Sequence, residues 1–304
     1  MLDLRRLRLL RELDHRGTLA AVAEALSYSP STVSQQLSLL ESEVGVVLLE
    51  PVGRRVRLTP QAQILVAHTE RILEHLERAQ ADVAASTAQV AGLVRVAAFQ
   101  TAALTLLPPA ITALADQHRH LVVHLTQTEP EQALPALLAW DFDLVVAEEY
   151  PDNPQPRPDG IDTEDLLADP IQLAHPRAVR TPRTQAALSR LTDHPWVMEP
   201  AGTASRAWAV NVCRKAGFEP DVRYQSSDLV LHTRLVEAGH AAAFLPHLVW
   251  GGRRPTVPTR PLPKAQAHRR IFTAVRRGHT DHPAVRALRR ALADAVPPAD
   301  QRGL

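Results

Sequence analysis

Apolar residues recur at helical spacing through the first part of the chain and in short strand-like runs after it. Leu7, Leu10 and Leu13 predict a helix over 4–15, ended by Gly17, since glycine accepts the left-handed conformation a helix stop requires. Thr18 offers a capping oxygen to a second helix over 19–26. Ser29 followed by Pro30 predicts a third start: a capping hydroxyl, then a proline whose missing N–H costs nothing in a first turn. Val33, Leu37 and Leu40 give that helix a buried stripe. Two apolar runs, 46–49 and 56–58, then flank Pro51-Val-Gly-Arg-Arg55 and predict a hairpin with a basic tip.

Residues 59–90 hold no glycine and a single proline, Pro60, and read as one long helix. Leu65, Thr69, Ile72, Leu76, Ala79 and Val83 step by 4, 3, 4, 3 and 4, the 3.5-residue repeat of a helix packed lengthwise on a partner helix. Dimerisation is the economical reading, and packing on the helix's own first domain is the alternative. From Gly92 onward, strand-like runs at 92–98, 121–126, 143–147, 166–175, 196–199, 222–225, 241–245 and 269–275 alternate with helical segments, one from about 102 and others at 131–138, 203–216, 228–238 and 282–296. Pro108 and Pro109 should bend the first of these helices, and the Pro-rich stretch 151–158 reads as a surface loop. Such alternation marks an α/β fold, here two lobes of the periplasmic-binding-protein type.

Composition narrows the function classes. The 304 residues are 45% apolar, enough for two or three domains with cores of their own. The formal net charge is +1, so any affinity for nucleic acid must come from local patches. Cys213 is the only cysteine, which excludes an intrachain disulfide and a cysteine-rich metal site. Beside Val210, Val212 and Phe218 it reads as a buried structural thiol. No run approaches the ~20 apolar residues of a membrane span, and the start carries charge where a signal peptide is apolar. A soluble, cytoplasmic protein with no membrane role is expected. His118, His120 and His124 cluster without a cysteine or paired acid and read as a solvated turn, so no metal site is expected. There is no His-Glu-x-x-His, Gly-x-Ser-x-Gly or Walker-type loop. No catalytic residue and no cofactor are nominated.

The candidate chemistry is that of recognition. The polar face of the third helix, Ser31, Thr32, Ser34, Gln35 and Ser38, bears no acid until Glu41, whereas a solvated face is normally charged. Such a face suits a major groove, where glutamine can bond two atoms of a base edge. Arg54 and Arg55 at the hairpin tip are placed to meet phosphate or the minor groove. In the second half, ligands of open α/β sheets sit beyond strand C-termini, near helix starts. Gln100-Thr101 and Thr203 occupy such places in opposite lobes, with Gln127 and Thr128 as further candidates. Free amides with a threonine hydroxyl would suit a carboxylate or other anion; helix capping is the plain alternative for each threonine.

The run Gly17-Thr-Leu-Ala-Ala-Val-Ala-Glu-Ala-Leu-Ser-Tyr-Ser-Pro-Ser-Thr-Val-Ser-Gln-Gln-Leu37, then Leu39-Leu-Glu-Ser-Glu-Val-Gly45 and Gly53-Arg-Arg-Val-Arg-Leu-Thr-Pro60, resembles the DNA-binding domain of LysR-type transcriptional regulators. The match covers about residues 2–80 without a gap, and a weaker resemblance to the family's effector domain follows. It implies a winged helix-turn-helix over 1–58, a linker and dimerisation helix over 59–90, and a two-lobed effector domain over 91–304. Lobe I is placed at about 91–162 and 266–304, lobe II at about 163–265. DNA contacts carry over onto Pro30, Ser31, Ser34, Gln35 and Arg54, and effector contacts onto Thr101 and Thr203. The implied partners are operator DNA, a small-molecule effector and a second copy in a dimer or dimer of dimers; RNA polymerase is a further candidate.

Two departures stand out. Leu49-Glu-Pro51 replaces the frequent Phe-x-Arg, removing a basic phosphate contact, and Pro60-Gln-Ala62 replaces Glu-Ala-Gly where the linker helix begins. Where peroxide-sensing relatives carry a reactive cysteine, this chain has Ala204; Cys213 matches their second one. A solute-binding protein or enzyme built on the two lobes alone is the rival reading, but it has no use for residues 1–58. An architectural DNA binder with a vestigial cleft is the third.

Overall fold

The computed structural model describes residues 2–53, 55–87, 89–151, 159–182, 185–263 and 267–297. Arg54, the side chain of Arg55 and residues 152–158 of the expected Pro-rich loop lie outside them. Three helices, α1 (Leu4–Arg16), α2 (Leu19–Ala25) and α3 (Pro30–Val44), close on a core of Leu10, Leu13, Val22, Val33, Leu37 and Leu40. The caps fall where the sequence put them. Thr18 accepts from the Ala21 N–H and Ser29 from the Thr32 N–H, while Gly17 adopts φ 74° and its N–H reaches the Leu13 carbonyl.

A hairpin follows, β1 (Leu49–Val52) against β2 (Arg55–Leu58), paired Leu49 to Leu58 and Val52 to Arg55. Val46 and Val47, expected in its first strand, are exposed and precede it. The reason is Glu41 at the end of α3. Its Oε1 accepts from the N–H groups of Leu48 (2.8 Å) and Leu49 (3.1 Å), tying the entry to the helix rather than to a sheet partner.

The long helix α4 (Pro60–Ala85) runs for 26 residues, about 39 Å at helical rise. Thr59 caps it, and Pro60 begins it without distortion. Ala62, in place of the family's glycine, is completely buried in the first core. The apolar stripe is divided between two duties. Thr69 packs inward along with Val66, Leu73 and Ala81, whereas Ile72, Leu76 and Val83 stay 43%, 41% and 68% exposed.

The second half is built on β3 (Ala91–Ala98), β4 (His120–Gln127), β5 (Leu144–Glu149), β6 (Ile161–Ala174), β7 (Pro195–Met198), β8 (Asp221–Gln225), β9 (Ala243–Pro246), β10 (Thr259–Pro261) and β11 (His268–Arg276). The helices between are α5 (Gln100–Thr105), α6 (Leu107–Gln117), α7 (Pro130–Leu138), α8 (Ala204–Lys215), α9 (Leu229–Glu237) and α10 (Pro283–Asp294). The predicted bend before Pro108 is the break between α5 and α6. β3, β4 and β5 pair in parallel, and β11 joins antiparallel beside β5.

The strand β6 belongs to both lobes. Residues 161–170 pair with β11, and 171–174 pair with β9 and β10. Its 14 residues span about 46 Å. The changeover therefore comes at Pro170–Ile171 and not at 163. Lobe II continues through a bridge between Trp196 of β7 and Ala242, and through the parallel pair β7–β8, around a core of Trp196, Trp208 and Phe244.

The two halves are clamped together. Arg276 of β11 donates to Glu77 of α4 (2.7 Å) and to the Leu137 carbonyl (2.9 Å), with its guanidinium 4.7 Å over the Trp140 ring. From α1, Arg11 bonds the Leu138 carbonyl, and Arg16 bonds Asp141 (2.8 Å) and the Ala139 carbonyl (3.0 Å). Gly278 lies so close to α4 that an added Cβ would stand 2.5 Å from the Glu74 carbonyl oxygen and 2.9 Å from the Glu77 Cβ. Gly278→Ala must therefore push the helix off lobe I. We expect a loss of ~1–3 kcal/mol, typical of overpacking, and a larger radius of gyration by X-ray scattering. An unchanged melting temperature and radius would mean the contact yields without cost.

Candidate functional site

Two surfaces carry the candidate residues. On α3, Pro30, Ser31, Ser34 and Gln35 are exposed and Thr32 is half-buried. The Ser29 hydroxyl lies 2.8 Å from those of Ser31 and Thr32, so three hydroxyls gather at one helix start. Ser34 and Gln35 make no side-chain hydrogen bond among the described residues and are available to a ligand. Arg5 and Tyr28, unremarked in the sequence, border the same hollow as Thr32 and Gln36. Tyr28 is a half-exposed aromatic held by the turn at Ser27, φ 56°. An aromatic between two polar helix ends was the available signal. On the hairpin, Arg57 is paired with Glu50 at 3.0 Å.

The second surface is the cleft between the lobes, closed in this structure by side chains of the chain itself. Gln100, at the start of α5, donates to Asp228 Oδ1 and accepts from the Leu229 N–H, both at 2.7 Å, at the start of α9 in the other lobe. Glu131, in the first turn of α7, accepts from the Ala204 N–H at 2.8 Å, at the start of α8. Lobe I thus supplies both polar groups, Gln100 and Glu131, to two helix starts of lobe II, where unpaired N–H groups and the helix dipole favour an acceptor. The bonded Gln100 holds the Asp228 carboxyl below its usual range.

Between these bridges lies a cavity of about 230 Å³. Glu129, Glu131, Glu148, Glu149 and Glu199 line it, with Leu134, Ile161 and Phe272 among the apolar walls. Behind the wall, Arg269 of β11 is 1% exposed. It donates to Glu148, to Asp169 (2.9 Å) and to the Thr101 hydroxyl (2.7 Å). Burial pushes the Glu199 carboxyl up to about 8, helped by Glu148 and Glu129, and pushes Glu129 up to about 7, helped by Glu148 and Glu131.

None of the five effector candidates read from the sequence lines this cavity. Thr101 is 2% exposed, and its hydroxyl is taken by Arg269. Thr203 caps α8, accepting from the Arg206 N–H, and borders a separate open hollow. Thr128 bonds Gln132 at 3.1 Å, Gln127 ends β4 at the surface, and Gln100 spans the lobes. The acids were missed although the rule that nominated Thr101 and Thr203 also points to them: Glu148 and Glu149 end β5, and Glu199 follows β7. Among the described residues no three His, Cys, Asp or Glu side chains converge to hold a metal ion. No helix there is long and apolar enough to cross a membrane. Cys213 is buried, its thiol pushed up to about 12 chiefly by desolvation, so it is held as the unreactive thiol.

Residues 4–63 match the family model described as bacterial regulatory helix-turn-helix protein, lysR family, and residues 87–297 match the LysR substrate binding domain. The transcriptional dual regulator GltC of Bacillus subtilis (strain 168) is 26% identical over 254 residues, 84% of each chain. The HTH-type transcriptional regulator TfdS of Cupriavidus pinatubonensis is 29% identical over 271 residues, 88% of this chain and 90% of that one. Among solved structures, a full-length OxyR variant from Pseudomonas aeruginosa superposes with a TM-score of 0.67 at 20% identity, over 96% of this chain and 95% of that one. Full-length CbnR in complex with its target DNA superposes with a TM-score of 0.53 at 23% identity, over 96% and 99%.

The raised carboxyls predict a pH dependence. Glu199 keeps its proton in the fold to about pH 8, while the unfolded chain loses it near 4.5. Its contribution to stability is therefore complete below about 4.5 and is lost as pH rises toward 8, by at most ~1.4 kcal/mol per pH unit. Glu199→Gln should flatten the fall in melting temperature between pH 5.5 and 8. An equal slope in the variant would mean that Glu199 is ionised in the fold.

Proposed function

This chain belongs to the LysR family of bacterial helix-turn-helix regulators, and we propose that it reads operator DNA as a dimer and adjusts that grip when a small effector fills the interlobe cavity. The single observation that carries the reading is the pairing of an uncharged face on α3, with Ser34 and Gln35 unbonded among the described residues, with a closed, lined cavity in the other half, joined by one clamped helix.

The roles follow from chemistry. Ser34 and Gln35 read base edges, while Pro30, Ser31 and Thr32 bring the start of α3 against the DNA backbone. Arg54 and Arg55, read from the sequence alone, meet phosphate from the hairpin tip. Ile72, Leu76 and Val83, left exposed along α4, form the seam with a second copy, whose own recognition helix reaches the second half-site. Coupling runs along β11. This strand carries Arg269 behind the cavity and Arg276 in the clamp on α4, about 23 Å apart at strand rise. A ligand that favours one lobe arrangement shifts the clamp, and with it the half-site geometry, by as much as it prefers that arrangement. Gln100, Thr128, Thr101 and Thr203 then support the cleft through the bonds described above, and Gln127 stands beside Thr128 at the end of β4.

Two measurements test this. Gln35→Ala should cost ~1–3 kcal/mol on operator DNA and leave binding to random DNA nearly unchanged; equal weakening on both would remove Gln35 from base readout. Changing Ile72 and Leu76 together to Glu should yield a monomer in sedimentation and abolish operator binding, because a lone half-site binds weakly. A dimer persisting in that double variant would place the seam elsewhere.

A further inference from the structure

We propose that the effector is a small organic cation, an ammonium or guanidinium group on an apolar body, seated with its charge between Glu129 and Glu199 and its body against Leu134, Ile161 and Phe272. The proposal rests on the reading of the interlobe cavity as the effector site, and it reverses the expectation of an anion.

The wall decides the charge. Five carboxyl groups line the cavity, and no basic side chain does among the described residues. Three of the five are engaged: Glu131 with the Ala204 N–H, Glu148 with Arg269 and Tyr150, and Glu149 with Arg270. Glu129 has no hydrogen bond or ion pair to its carboxyl among the described residues. Glu199 is 7% exposed and, among the described residues, its carboxyl takes a hydrogen bond from Ser205 alone, where a carboxylate has about four acceptor sites. A carboxyl so buried and so little satisfied calls for a donor that the protein does not supply. Arg269 cannot receive an anion in its place, since its donors are spent on Glu148, Asp169 and Thr101. An anion would find no free cation in the wall among the described residues and would oppose the ionisation of Glu129 and Glu199; a cation supplies the charge that these two carboxyls lack.

Size and lining decide the rest. A volume of 230 Å³ holds the equivalent of roughly eight waters at liquid density, so a metabolite fits and a peptide does not. Leu134, Ile161, Phe272, Pro130 and Pro135 offer a bare metal ion nothing, and no three ligating side chains converge. The Trp208 N–H, buried and without a partner among the described residues, borders a water-sized annex that also touches Glu199 and Ser205. It offers one donor to an acceptor on the ligand or to a water carried with it.

The test uses the full-length protein and three matched sets of probes: pentylammonium, benzylammonium and butylguanidinium, the alcohols of the same shape, and the carboxylates of the same shape. Titration calorimetry in two buffers of different ionisation heat reads affinity and proton release together. The ammonium and guanidinium probes should bind at least tenfold tighter than their alcohols. They should release protons near pH 7 and gain about tenfold from pH 6.5 to 8.5, because each must displace protons from Glu129 and Glu199. Glu199→Gln and Glu129→Gln, checked for folding by thermal melts, should each lose tenfold or more and release fewer protons, with Glu199→Asp intermediate. Cations that bind no better than the alcohols, or without proton release, overturn the proposal. Carboxylate binding that is lost when Leu134→Trp fills the cavity overturns the cation while the effector site stands. Binding of every probe that is indifferent to Leu134→Trp overturns both.

Discussion

A guanidinium buried to 1% exposure must be paired, and pairing Arg269 organises the whole second half of the molecule. Its donors reach Glu148 at the end of β5, Asp169 near the changeover of β6, and Thr101 in the first turn of α5. Asp169 passes the restraint on by accepting from the Leu248 N–H at 3.1 Å. Removing one partner of such a group leaves an uncompensated charge in a low dielectric, typically a loss of ~3–5 kcal/mol. Lobe I is therefore tied at one electrostatic knot, with β5, β6 and α5 fixed around it and the Leu248 N–H, just beyond β9, bonded to it.

The knot also explains the chemistry of the cavity beside it. Arg269 pairs with Glu148 and Asp169, and its weaker pull on Glu129 and Glu199 does not outweigh the desolvation that raises both. Glu199, buried, and Glu129, half-buried, have no cation of their own among the described residues, so their carboxyls are pushed up to about 8 and about 7. A cleft that sequence reasoning furnished with hydroxyls and free amides is furnished instead with carboxyls, because its own Gln100 and Glu131 already occupy the helix starts across the gap.

The other end of β11 faces a different neighbour. Arg276 enters the clamp with Glu77, Asp143 and Trp140, and Gly278 permits the near contact of lobe I with α4. One strand thus joins the interlobe cavity to the helix that carries the first domain. The same helix leaves Ile72, Leu76 and Val83 uncovered, on a side that intrachain packing does not use.

What the sequence determined by itself is what depends on neighbours along the chain. Ser29-Pro30, Thr18 and Gly17 set the helix ends, because a cap is decided within a few residues. The 3.5-residue stripe set the length and character of α4, and alternating runs set the α/β class. The tertiary structure alone decided that Thr69 of that stripe packs inward while Ile72, Leu76 and Val83 stay exposed, where β6 passes from one lobe to the other, and that Val46 and Val47 stay outside the hairpin. It also decided the cavity. Arg269 meets Asp169 and Glu148 across 100 and 121 residues of chain, and Glu131 meets Ala204 across 73. Periodicity cannot reveal such partners: a carboxyl at a strand end reads the same in sequence whether water, an arginine or a ligand will face it, and only burial, which exists once the chain has folded, makes the difference.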